Sequence, residues 1–206
     1  MEGKKLLLFD FDGTVIDNSE GIFNCVRYAA EKYGFAPPDA ETLRRFVGPP
    51  LYDSFMRFFG ADHETTLKLV DAYRERYRPI GTTEAVLYPG VKKALSLLQT
   101  AGYTLAVCSG KPLEFVEKIA GLLEIKTLFS GFYCTSLKDT ALKKSDYILR
   151  AAADFGIQKQ DTVMIGDTKS DILAAKEAGV DSIGVTYGFA APGELETAGA
   201  HVFANN

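Results

Sequence analysis

Residues 5–14 read KLLLFDFDGT, and this stretch decides how the chain is organised. The segment from Lys5 to Phe9 is a continuous apolar run that stops abruptly at Asp10-Phe11-Asp12-Gly13. A short apolar run bounded by turn residues fits a strand buried on both faces of a parallel sheet. The same form recurs downstream. Tyr103 to Cys108 (YTLAVC) stops at Ser109-Gly110, Thr162 to Ile165 (TVMI) stops at Gly166-Asp167, and Ser182 to Thr186 (SIGVT) stops before Gly188. A last strand-like piece, HVFA, lies near the end of the chain.

Helical patterns separate these runs. Val91, Ala94, Leu95 and Leu98 share one helix face, opened by Pro89-Gly90 and closed by Gly102. Pro112 opens a helix at a first-turn position, with Phe115, Val116, Ile119 and Leu122 on its apolar face. Ile148, Leu149, Ala152 and Ala153 mark a third helix ending near Gly156; Ile172, Ala175 and Ala178 mark a fourth ending at Gly179. Alternation of this kind predicts an α/β fold, a Rossmann-like and mainly parallel sheet with helices on both faces. Residues 19–78 break it. They read as helices only, at about 19–34, 39–47, 51–59 and 63–78, with Asp39 and Asp62 as caps. The economical organisation is an α/β core at 1–16 and 83–206 with an all-helical domain at 17–82 inserted after the first strand. The expected hinges are Val15–Ser19 and Ile80–Leu87.

Composition narrows the function. The chain has 206 residues, 47% hydrophobic and 24% charged, which is ordinary globular usage and excludes a disordered or collagen-like chain. Its net charge of −4 gives no electrostatic footprint for a nucleic acid polymer or an anionic membrane. No apolar run approaches the roughly 18 residues that a membrane span needs. The N-terminus lacks a signal-peptide core, so the expectation is a cytoplasmic protein. Three cysteines without CxxC spacing argue against a disulfide scaffold or a zinc ribbon.

Ligands of open α/β sheets bind beyond the carboxyl ends of the strands. Those ends carry Asp10, Asp12, Gly13 and Thr14; then Ser109, Gly110 and Lys111; then Gly166, Asp167 and Asp171. Converging carboxylates repel unless a cation is present. Oxygen ligands in this number suit Mg²⁺, and neither histidine (His63 or His201) follows a strand end. Any one of these features has a plainer reading. Asp-x-Asp can be a solvated turn, Ser109-Gly110 a strand-to-helix turn, and Asp171 a first-turn acid. Cys108, among apolar strand neighbours, reads as a small core residue. Phe55, Phe58, Phe59, Tyr73 and Tyr77 read as the core of the helical insert.

Taken in order, LLLFDFDGT, AVCSGK, LKKSDYIL and VMIGDTKSDILAAKEAG resemble the four motifs of the haloacid dehalogenase superfamily of phosphohydrolases, over nearly the whole chain. The inserted helices resemble that family's cap domain. FVGPPLYDSF and GVTYGF further resemble its phosphoglycolate phosphatase-like branch, some members of which act on nucleoside monophosphates. The resemblance implies Asp10 as a nucleophile forming an aspartyl-phosphate. It implies Asp12 as the acid that protonates the leaving oxygen and then activates water. Mg²⁺ would be held by Asp10, the Asp12 carbonyl and Asp167. Ser109 and Lys144 would bind phosphoryl oxygens, with Thr14 and Gly110 beside them, and Asp171 would support the metal or orient Lys144. Where the family has Lys-Pro this chain has Lys143-Lys144-Ser145, which leaves both lysines open, with Lys144 nearer the helix. Arg44 and Arg45 of the insert are candidates for substrate contact, against a solvated helix face as the plainer reading. Relatives often continue into a further short helix after the last strand.

The expectation is therefore a Mg²⁺-dependent phosphatase for a small phosphorylated metabolite, acting as a monomer or homodimer. Candidate substrates are 2-phosphoglycolate, a nucleoside 5′-monophosphate, pyrophosphate or a sugar phosphate. A phosphomutase would use the same acids. A dehalogenase would not need Asp12, and a receiver-like phospho-aspartate module would lack the helical insert. No GxxxxGK[ST] or strand-following GxGxxG is present for a P-loop or dinucleotide enzyme.

Overall fold

In the computed structural model, residues 3–137, 142–200 and 202–204 are described. Strand β1 (Leu6–Phe9) leads into a two-residue strand β2 (Ile16–Asp17). Four helices follow: α1 (Ser19–Lys32), α2 (Ala40–Arg44), α3 (Leu51–Phe59) and α4 (His63–Tyr77). After the short strand β3 (Val86–Leu87) come α5 (Val91–Thr100), β4 (Thr104–Pro112), α6 (Leu113–Leu122) and β5 (Gly131–Thr135). The chain then forms α7 (Lys144–Asp154), β6 (Thr162–Gly166), α8 (Lys169–Ala178), β7 (Asp181–Val185), α9 (Glu194–Ala198) and β8 (Val202–Ala204).

The main sheet has six strands in the order β5-β4-β1-β6-β7-β8. Every neighbouring pair is parallel, so this is an α/β Rossmann-like sheet. The first strand is central. Successive strands step outward through β4 and β5, then return to its other side through β6, β7 and β8. That reversal creates a switch point between β1 and β6, where ligands of such sheets bind. Leu6, Leu7 and Leu8 are fully buried, as a strand covered on both faces requires. Leu6 and Leu8 join Ala106, Cys108 and Met164 against Ile148 and Ala151 of α7 and Ala174, Ala175 and Ala178 of α8. Period-two alternation sends Leu7 and Phe9 to the opposite face.

Chain contacts divide the molecule into two compact units, Met1–Asp17 with Leu87–Asn206, and Asn18–Val86. The second unit is helical. Its helices α2 and α4 begin at Asp39 and Asp62, whose carboxylates accept from the amides of Thr42 and Thr65. Phe46 contacts Phe55, Phe58 and Phe59 edge-on or tilted, while Tyr73 stacks on Tyr77. These rings are the core of the unit.

Several boundaries differ from the sequence reading. The helix expected at 39–47 stops at Arg44, beyond which the amides of Arg45, Phe46 and Val47 bond three residues back in tighter turns. Pro112 caps α6 from outside, and β4 runs on to it instead of stopping at Cys108. Strand β5, the short strands β2 and β3, and helix α9 were not expected at all. Among the described residues, no helix is long and apolar enough to cross a membrane.

Candidate active site

The carboxyl ends of β1 and β6 are joined directly, since the Asp10 amide donates to the Ile165 carbonyl at 2.8 Å. Asp10 follows β1, Asp167 follows β6, and Asp171 lies in the first turn of α8. All three are buried, and one carboxylate oxygen from each lies within 4.8 Å of the others. Asp167 and Asp171 are each held by hydrogen bonds from neighbouring groups. Asp167 accepts from the Phe189 amide at 2.8 Å and from the Thr14 hydroxyl at 3.2 Å. Asp171 accepts from the amide and hydroxyl of Thr168, the capping arrangement of α8.

Lys144, at the start of α7, sends its buried ammonium to Asp171 at 2.5 Å and Asp10 at 3.2 Å. Lys143 points elsewhere, pairing with Glu177 at the surface. Of the two lysines left open by the sequence, only Lys144 therefore reaches the acids. Ser109 is buried at the end of the β4 apolar run, one strand from Asp10. Gly110 is exposed, and its carbonyl accepts from the Thr135 hydroxyl. Thr14, a candidate substrate contact, has its hydroxyl committed to Asp167. Asp12 contributes no side-chain oxygen to the three-acid cluster; its Oδ2 accepts instead from Lys111 at 2.9 Å. Arg45 belongs to the other unit, where it is exposed and pairs with Glu41 one turn away. His201 lies outside the described residues.

Crowding shows in the proton affinities. Burial pushes the Asp10 carboxyl up to about 6; Lys144 and Ser109 oppose this, while Asp171 and Asp12 add to it. Burial, then Asp10 and Asp171, push Asp167 up to about 8, against its two hydrogen bonds. Burial disfavours charge on Lys144, but Asp10 and Asp171 outweigh it and hold the ammonium above its ordinary range. Cys108 and Cys134 are pushed up by burial, which leaves both as thiols.

Buried carboxyls such as Asp10 and Asp167, whose proton affinity is raised by burial and by neighbouring acids, are donors that a cation would suit. Asp10 Oδ1 is buried with no hydrogen-bond partner among the described residues. The donor set is all oxygen, which fits Mg²⁺ rather than a thiolate- or imidazole-bound metal. Asp10 and Asp167, with Asp171 behind them, are the residues that could hold it.

Glycines let these groups approach. Gly13 has φ +83°, and a Cβ there would stand 2.1 Å from Asp167 Oδ2. A Cβ at Gly188 would lie 2.3 Å from the Asp167 Cβ. The Tyr187 hydroxyl donates to the Thr14 carbonyl at 2.9 Å, so the segment after β7 braces the loop after β1. Sequence reasoning gave Tyr187 and Phe189 no part in this site, and only their position past the end of β7 could have flagged them; it placed Lys111 at a strand end with Ser109 and Gly110 but gave it no role.

The haloacid dehalogenase-like hydrolase family model matches residues 7–185. The chain belongs to that family. It is a hydrolase, built on the family's α/β sheet. It is 36% identical over 189 residues to a 5′-nucleotidase of Pseudomonas aeruginosa, covering 92% of this chain and 86% of that protein. It is 30% identical over 195 residues to a phosphoglycolate phosphatase of Psychrobacter arcticus, covering 90% of this chain and 85% of that one. A crystal structure described as a predicted phosphatase from Clostridium acetobutylicum superposes with TM-score 0.89 at 36% identity, over 98% of this chain and 94% of the other.

Proposed function

We propose that this hydrolase is a Mg²⁺-dependent phosphatase for a small phosphomonoester, acting through an aspartyl-phosphate on Asp10. The observation that carries the reading is the buried set of Asp10, Asp167 and Asp171 with the Lys144 ammonium between two of them. A bound cation would neutralise charge on the acids and the phosphoryl group.

The chain's own residues then divide the work. An Asp10 oxygen attacks phosphorus while the bond to the leaving oxygen breaks, which replaces one hard displacement by two easier ones. Asp12 gives its proton to the departing oxygen. In the second half, water attacks phosphorus, its proton goes to Asp12, and the bond to Asp10 breaks. Lys144 and the Ser109 hydroxyl stabilise charge spread over the phosphoryl oxygens. Asp171 orients Lys144, and Thr14 orients Asp167. The resemblance gives the helical unit, Asn18–Val86, the part of a cap, the element that in such enzymes favours small substrates. Names of relatives support two substrate families, nucleoside 5′-monophosphates and 2-phosphoglycolate.

Phosphate release is measured from both of these, pyrophosphate and sugar phosphates, with and without Mg²⁺, for the native protein and Asp10→Asn. Turnover that needs the cation and disappears in Asp10→Asn is expected. A well-folded native protein that releases phosphate from none of them defeats the reading.

A further inference from the structure

Lys111 is a lysine with only 8% of its side chain exposed, and Asp12, its partner, has 19%. Lysines are rarely buried this far without a specific partner. The ammonium meets Asp12 Oδ2 at 2.9 Å across 99 residues of sequence. The other oxygen, Asp12 Oδ1, is buried and has no hydrogen-bond partner among the described residues. One oxygen of the carboxyl is thus gripped and the other left available.

The backbone explains how Lys111 reaches it. Strand β4 pairs regularly with β5 up to Ser109↔Cys134, then slips, and pairing resumes only at Pro112↔Thr135. Gly110 and Lys111 occupy that irregularity. Bulges of this kind re-aim a side chain beside a site. This one is held at two points, by the Thr135 hydroxyl on the Gly110 carbonyl and by the Lys111 amide on Ser109 Oγ. The strand that presents Ser109 therefore also turns the next-but-one side chain onto Asp12.

We propose that Lys111 is a positioning residue for Asp12: its grip on Oδ2 fixes the carboxyl so that Oδ1 exchanges the proton with the leaving oxygen and then with water. The inference rests on the acid–base part given to Asp12 under the proposed function, and no bond to substrate is assigned to Lys111. A misplaced acid harms catalysis most where the leaving oxygen needs a proton. Nitrophenolate leaves well without one, whereas an alkoxide does not.

The test measures kcat and KM with Mg²⁺ for native protein, Lys111→Met and Lys111→Gln. Two esters are compared, p-nitrophenyl phosphate and the best alkyl phosphate of the panel above. Methionine keeps the side-chain volume without a donor; glutamine keeps a neutral donor. For Lys111→Met, kcat on the alkyl ester is expected to fall roughly tenfold or more, against less than about threefold on p-nitrophenyl phosphate, with KM within about twofold on both. Lys111→Gln is expected to show a smaller loss of the same sense, and carries the comparison alone if the methionine variant does not fold. An equal loss on both esters, a raised KM with unchanged kcat, or no loss overturns the inference while leaving the phosphatase reading intact. A native protein that hydrolyses neither ester overturns that reading and this inference with it.

Discussion

At Gly13 two constraints meet in one residue. The backbone is left-handed there, and the space for a Cβ is already filled by the Asp167 carboxylate. Gly13→Ala should displace Asp167 or the loop after β1 by a sizeable fraction of an ångström. Misplacement on that scale costs reaction rate far more than it costs folding, so a loss of about 100-fold in kcat is expected, with a cooperative melt retained. Phosphate release and circular dichroism on the same sample check both halves. The Asp-x-Asp-Gly run was legible because carboxylates and a glycine directly after an apolar strand have few other reasons to stand together. The partners that orient them were not legible. Thr14 donates to Asp167 across 153 residues, and the Phe189 amide is a backbone group that any residue type would supply. Spacing within one strand end carries no information about which oxygen a neighbouring strand end will hold.

At the start of α7 two adjacent lysines part ways: Lys144, in the first turn, reaches the acids, while the capping Lys143 pairs with Glu177 at the surface. Lys144→Met is therefore expected to lower kcat by roughly 100-fold or more, because it removes a fixed cation from a site where charge develops. Lys143→Met should stay within about twofold, since exposed ion pairs contribute little. Equal losses in the two variants would contradict the assignment. The helical unit offers a stability test. Arg76 forms two 2.8 Å hydrogen bonds to Glu84, which also accepts from Asn24 and ties α4 and α1 to the segment before β3. Glu84→Gln should destabilise this unit by roughly 1–3 kcal/mol, read by chemical denaturation, because the guanidinium loses its charged acceptor. Long periodic helices such as α1 and α4 could be read directly from the chain. Strand β5 could not: it is an edge strand, half-exposed throughout, and GFYCT has neither the apolar continuity of β1 nor a clean alternation.

For the whole molecule, the buried acids couple folding to both pH and cation. Asp10 and Asp167 hold protons up to about 6 and about 8 in the folded chain, against 3.8 for an ordinary aspartate. Between these limits the folded state binds more protons than the unfolded state. The sign follows: stability contributed by the protonated acids is complete below about pH 4 and is lost as pH rises through 6 to 8. A divalent cation replaces those protons, so its stabilisation should grow over the same window, and its binding near neutral pH should release protons. Thermal midpoints are measured in chelator and in excess Mg²⁺ at about pH 6 and about pH 8.5. The gap between the two conditions is expected to widen at the higher pH, and to narrow at that pH in Asp167→Asn, which removes both a donor and the carboxyl raised to about 8. A gap independent of pH, or unchanged by Asp167→Asn, would mean that the cation does not bind where these three acids converge.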